Sequence, residues 1–362
     1  MLRFHAHWIC ALSNAEPALM VRKAFVLLAV SLAACAGVPQ KEFEVYRSNF
    51  NTAKATAEDI ILQAKLDAEQ TAKLPANKDP VAERDRKLAE RTAALDARLA
   101  ALNLIAQYNA VLVALADGDD PAAVQSNLQN LSKGLSSFGS SKLTALVANA
   151  GPLAGMISQA VTIVDALIKQ KKFRDATIQA QPAILGILHV LQEDADRIHA
   201  IQVQLVELRR DSDWNKVISL KKRLAKMANG YAKSSELDGV AGQYDKQIAR
   251  IQPPPSEPTL FDLGYAPSGN TKATDAEIEV MKGMVDEVTR HVDSYNAFGD
   301  EIEAHGKAIS QYKALLDSVT LSFNAMSAAE SSPQFEAVTQ QVVKQGLALR
   351  QAVLGYQEAR HK

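Results

Sequence analysis

A chain of 362 residues, 47% apolar and 22% charged, can bury a sizeable core and does not have the composition of a disordered segment. Its net charge of −1 gives no global attraction for nucleic acid, and aromatics at 6% beside abundant alanine favour helix over strand. The two cysteines, Cys10 and Cys35, precede the body of the chain, which excludes a disulfide framework or a cysteine metal site in that body.

From Met20 the chain carries a basic pair, Arg22 and Lys23, and then an uncharged apolar run, Ala24 to Leu32, too short to span a bilayer well. It ends Leu32-Ala33-Ala34-Cys35. This order resembles the signal peptide and lipobox of bacterial lipoproteins. The resemblance covers Met20 to Cys35 only. It implies cleavage between Ala34 and Cys35, acylation of Cys35, and stable anchoring, because two or more acyl chains hold where one would not. His5, His7, Asn14, Glu16 and Pro17 interrupt any apolar run in residues 1–19, so Met20 is the expected start. Ala36, where an aspartate would signal inner-membrane retention, points by the same resemblance to the outer membrane facing the periplasm. Exposure at the cell surface stays open.

Beyond Cys35 no run alternates apolar and polar residues, while apolar steps of three, four and seven occur nearly everywhere. Helices are predicted over 40–73, 80–116, 121–137, 141–171, 182–209, 213–251, 274–329 and 333–360. Asp120-Pro121 and Ser332-Pro333 each pair a capping side chain with proline at the first helical position, and Thr274 with Glu277 forms a capping box. The run Gln252-Pro253-Pro254-Pro255, continuing to Gly269-Asn270, cannot be helix. The strongest stripe follows it: Met281, Val288, Tyr295, Ile302, Ile309, Leu316 and Phe323 at seven-residue spacing, with Val285, Val292, Gly299 and Gly306 in the companion position. Those glycines either admit a partner backbone or are simply tolerated.

The fold expected is all-α, an elongated antiparallel helical bundle with coiled-coil-like packing. The division expected is a signal peptide (1–34), an N-terminal helical region (35–252), a Pro/Gly-rich loop or linker (253–273) and a C-terminal helical hairpin (274–362). The hairpin is expected to pack in the same bundle, since two helices alone cannot bury the seam.

Leu143 to Val164 is an uncharged run centred near Ile157 and bounded by Lys142 and Asp165. Its length approaches that of a membrane helix, but Asn149, Ser158, Gln159 and Gly151-Pro152 make a poor spanning segment. A central helix buried on all sides is the expected reading, and a membrane-inserting hairpin the alternative.

No catalytic signature is present. Ser219 to Lys222 and Ser310 to Lys313 match Ser-x-x-Lys without the other elements such enzymes need. His189, His199, His291, His305 and His361 lack metal-ligand spacing on one helix, and Glu193-Asp194-Ala195-Asp196 reads as a solvated face. The basic runs Lys169-Gln170-Lys171-Lys172 and Lys221 to Lys226 could meet anionic lipid or peptidoglycan, but without interleaved aromatics they do not suit single-stranded nucleic acid. The chain therefore reads as a lipid-anchored, non-catalytic binding or scaffold module of the bacterial envelope. It needs no cofactor or metal, and its partner is the membrane through Cys35 together with an envelope protein or the cell wall. The alternatives are a membrane-inserting or pore-forming protein using Leu143–Val164, and a hydrolase with an unrecognised site.

Overall fold

The computed structural model describes residues 40–74, 80–116, 118, 120–146, 150–252, 263–327 and 332–361. The regular elements among them are helices: α1 (Gln40–Thr71), α2 (Val81–Ala116), α3 (Pro121–Leu146), α4 (Gly151–Lys169), α5 (Phe173–Asn229), α6 (Ser235–Ile248), α7 (Asp275–Ser327) and α8 (Ser332–Arg360). They pack against one another as an all-α helical bundle.

Local chemistry sets the helix starts. Asp120 accepts the N–H of Ala122 ahead of Pro121, and Ser234 accepts that of Leu237. Thr274 and Glu277 exchange the two bonds of a capping box at the head of α7. Some boundaries differ from expectation. Pro182 does not begin a helix; α5 runs through it for 57 residues. Burial of Ala176, Ala180, Ala183 and Ile184 around it offsets the ~3 kcal/mol cost of an internal proline. The expected gap near residues 210–212 is helical too, and Ser212 there is buried. The break comes later, at Gly230, and Ser234 caps a separate short α6. The gap expected between 137 and 141 is a kink at Gly139 within α3.

α5 and α7 form the spine, 57 and 53 residues long. Antiparallel pairing is fixed by Gln181 with Phe323, Gln192 with Asp317, Asp196 with Lys313 and Asp213 with His291. α2 runs antiparallel to α5 through Arg98–Asp194 and Arg91–Gln204. α1 and α8 are parallel neighbours: Gly346 lies against Ala53, and further along both helices Arg360 reaches Asp67.

Two apolar cores result. The body core joins α1 to α4, the first half of α5, the second half of α7, and α8, with Phe50, Ile61, Leu95, Ile105, Leu188, Leu316 and Val353 inside. The second core lies in an arm built from the end of α5, α6 and the start of α7. It buries Leu220, Leu224, Tyr244, Met281 and Val288. Residues 263–274 cross the end of the arm without helix. Asn229 donates to the Gly264 carbonyl and accepts the Ala266 N–H, and the Ala232 N–H bonds the Thr271 carbonyl. Gly269 is required there, because a Cβ would stand 2.0 Å from the Gly230 carbonyl oxygen.

The stripe on α7 holds its register at both ends and shifts in the middle. Met281, Val288, Tyr295, Ile309, Leu316 and Phe323 are buried, whereas Ile302 is only half-buried. Between Tyr295 and His305 the buried positions are Phe298 and Glu301, so the inward face advances by threes and turns past Ile302. Gly299 faces open space, while a Cβ on Gly306 would touch the His199 ring at 3.4 Å.

Candidate functional site

A layer of buried and half-buried polar side chains separates the two cores. Asp67 on α1, Gln202 and Arg209 on α5, Glu301 on α7 and Arg360 on α8 meet at one level. The Arg360 guanidinium donates to Asp67 Oδ1 at 2.7 Å, Arg209 Nη2 to Glu301 Oε1 at 2.5 Å, and Gln202 Nε2 to Asp67 Oδ2 at 2.7 Å. Asp67 and Glu301 are 0% and 2% exposed, so neither carboxylate is open to bulk solvent. Two guanidinium groups against two carboxylates make the cluster neutral, which is what a low-dielectric setting tolerates. Arg360 also sits in the last turn of α8, where a cation complements the helix dipole.

Next to this cluster, toward the body, the rings of His199 and His305 stack at 5.3 Å and 12°, their Nδ1 atoms 3.0 Å apart. One Nδ1 must carry the proton and the other accept it. Tyr356 meets His305 edge-on at 4.9 Å. Burial, with His199 and Arg360 beside it, pushes the His305 imidazole down to about 3. Burial likewise raises the Tyr356 hydroxyl above its ordinary value. Deeper in the body, Arg98 and Asp194 form a second buried pair, in which desolvation outweighs the guanidinium and raises the carboxyl. On the arm side, Arg210 lies 4.3 Å over the Tyr295 ring, and Asp213 accepts from Ser294 and pairs with His291.

These groups are ion pairs and stacked rings drawn from five helices, α1, α2, α5, α7 and α8, and their direct chemical effect is to fix helix register. Among the described residues no three His, Cys, Asp or Glu side chains are arranged to hold a metal ion. Sequence spacing missed the layer because its members lie far apart in the chain: His199 and His305 face each other from different helices, and Asp194 turns inward from a run that read as solvated. One signal was available. Arg98 stands three residues after Leu95 and four before Leu102, on the apolar stripe of α2.

The other residues that the sequence singles out lie away from this layer. Ala34 and Cys35 are outside the described residues. Leu143 is buried at the end of α3, and Ile157 and Val164 are buried on α4. The expected all-round buried helix is not what forms. α4 buries one stripe, Ile157, Ala160, Val164 and Ile168, against α3 and α5, and leaves Met156, Ser158, Gln159 and Thr162 exposed. Among the described residues it packs chiefly against these two helices, which cover one face. Gly186 on α5 permits the close approach, since a Cβ there would fall 2.6 Å from Leu153 Cδ1. By length and composition alone, α2 and α4 are apolar enough to cross a membrane, and the apolar part of α2, Leu95 to Ala114, is largely buried in the body. Ser219 and Ser310 are outside the polar layer, and Lys313 is engaged by Asp196.

Comparison of the chain with family models, with curated proteins and with solved structures finds no match.

Proposed function

We propose that this chain is a lipid-anchored protein of the bacterial envelope that acts as a non-catalytic spacer and binding module. The observation that carries this reading is the placement of the two ends of the bundle. α1 begins at Gln40, shortly after the lipobox cysteine, and runs toward the polar layer at Asp67. Gln40 therefore lies ~40 Å to one side of that layer, and the tip of the arm, at Asn229 and Asp275, ~40 Å to the other. A lipid on Cys35 would hold the body at the membrane and carry the arm ~80 Å from it, toward a partner in the envelope or the cell wall.

Labelling with an alkyne fatty acid tests the anchor: wild type takes the label and Cys35→Ala does not. Persistence of label in the variant would remove the anchor. The spacer is tested by energy transfer. No cysteine follows Cys35, so a single dye can be placed at Lys233→Cys on the arm or at Ser48→Cys near the start of α1. Transfer to a bilayer dye is expected from Ser48→Cys only. Equal transfer from both positions would remove the spacer reading.

Membrane insertion through Leu143–Val164 is a second reading, supported by the single buried stripe of α4 and by Met156 at 41% exposure. Ile157→Lys separates the two. With α4 docked in the bundle, the buried lysine lowers the melting temperature, by ~3–5 kcal/mol of stability. An unchanged melting temperature, with liposome leakage caused only by wild type, would favour insertion.

A further inference from the structure

The start of α5 lies at the same end of the bundle as Gln40, because Phe173 precedes the Gln202 layer by about as many residues as Gln40 precedes Asp67. The turn joining α4 to α5 is therefore at the end from which the chain leads back to Cys35. It carries Lys169, Lys171, Lys172 and Arg174, all exposed. Lys171 is held at φ 56°, and the turn is closed by its N–H on the Ile168 carbonyl and that of Lys172 on the Leu167 carbonyl, both at 2.9 Å. This is a fixed C-terminal helix motif rather than a frayed end. Among the described residues none of the four cations has an ion pair or side-chain hydrogen bond. Of the neighbouring carboxylates, Asp165 accepts from Ser132 at 2.6 Å, and Asp175 stands in the first turn of α5, at the positive end of its dipole. Leu167 and Phe173, half-buried, flank the turn with apolar surface.

We infer that the α4–α5 turn is a contact surface for the anionic lipid headgroups of the membrane that holds the anchor. The inference rests on the lipid-anchor reading for its orientation. Residues 36–39 are all that separate Cys35 from α1, so an acylated chain keeps this end within a few tens of ångströms of the headgroups. A short tether makes the second contact effectively intramolecular. A patch of basic side chains beside an acyl anchor is the pairing that secures peripheral proteins, and each cation near an anionic leaflet strengthens binding about five-fold, from ~1 kcal/mol apiece.

The test uses the chain from Ala36, which retains every helix of both cores and lacks the lipid, so that any binding belongs to the protein surface. It is sedimented with phosphatidylglycerol-containing vesicles and with pure phosphatidylcholine vesicles. Binding to the anionic vesicles alone is expected, falling as salt is raised. Lys171→Gln with Lys172→Gln is expected to weaken it about 25-fold, the product of two such five-fold losses. Lys221→Gln with Lys222→Gln, on the arm, is expected to leave it unchanged, with circular dichroism confirming that both variants fold. Absence of binding, equal binding to phosphatidylcholine, or equal loss in the two double variants would each overturn the inference. Fatty-acid labelling of the full chain reads the anchor separately: label without vesicle binding removes this surface and keeps the anchor, and vesicle binding without label does the reverse.

Discussion

The body and the arm share two helices, α5 and α7, yet are closed in different ways. In the body seven helical segments, the two of the spine included, fill the interior with leucine, isoleucine and alanine. In the arm three segments enclose a smaller core, and residues 263–274 must be pinned across its end by Asn229 and by the close pass at Gly269. The change falls where α1 and α8 end and α2 begins, and the ion pairs of the polar layer lie at that level. A core that loses three helices at one level cannot be continued by apolar side chains alone. Arg360 and Arg209 against Asp67 and Glu301 close the body there while tying the ends of α1 and α8 to the spine. Each stretch of α5 and α7 is thus fitted to its neighbours, and the two helices carry a different inward face on either side of the layer.

The largest expected effect is that of Ile309→Asp in the body. It places an unpaired carboxylate at a position 3% exposed, and ~3–5 kcal/mol of stability is expected to be lost. A near-unchanged melting temperature would mean that the α7 seam is not packed as described.

The polar layer gives the next effect, through pH. His305 is depressed to about 3 from an ordinary 6.5 by burial, with His199 on α5 and Arg360 and Tyr356 on α8 beside it. The unfolded chain binds a proton there below about 6.5 and the folded chain does not. Its contribution is therefore fully present above that pH and is lost as pH falls toward 3, on the order of 3–5 kcal/mol in all. Asp194, whose carboxyl is raised by burial, works in the opposite sense and flattens part of the acid limb. Urea titrations of wild type and His305→Leu between pH 7 and 4 measure the slope, which is expected to be shallower in the variant. Identical slopes would place the acid sensitivity elsewhere.

In the arm, Leu224→Ala removes a side chain that is 0% exposed and is expected to cost ~2–4 kcal/mol. Hydrogen exchange is expected to rise chiefly in α6 and residues 213–229, leaving α1 and α8 protected, because the polar layer divides the cores. Uniform loss of protection would show that the two cores unfold as one. The smallest effect is Ile302→Asp, expected to cost less than ~1 kcal/mol because the side chain stands beside the seam. The pair Ile302→Asp and Ile309→Asp thus reads the register shift directly: equal costs would erase it.

Much of this organisation is written locally. Composition and apolar periodicity determine that the chain is helical, since spacing by threes and fours is a property of each segment alone. Asp120-Pro121 and the Thr274–Glu277 box mark helix starts because capping satisfies orphan N–H groups within a single turn. The basic turn at Lys169–Lys172 is likewise visible as a run of charge.

Features that depend on partners distant in the chain are set by packing. Pro182 lies within a helix because the neighbours of α5 bury the residues on both sides of it. α4 exposes one face because, among the described residues, it packs chiefly against α3 and α5, a fact of topology that the uncharged run Leu143–Val164 does not contain. Heptad counting extends the seam through Ile302, but Glu301 and His305 take the inward positions, because Arg209, Arg360 and His199 stand opposite them. A buried charge is stable only against a partner, and the partners of Asp67, Asp194 and Glu301 lie on other helices. Periodicity reports which face of a helix is apolar; which charges that face can also bury is settled only by the helices packed against it.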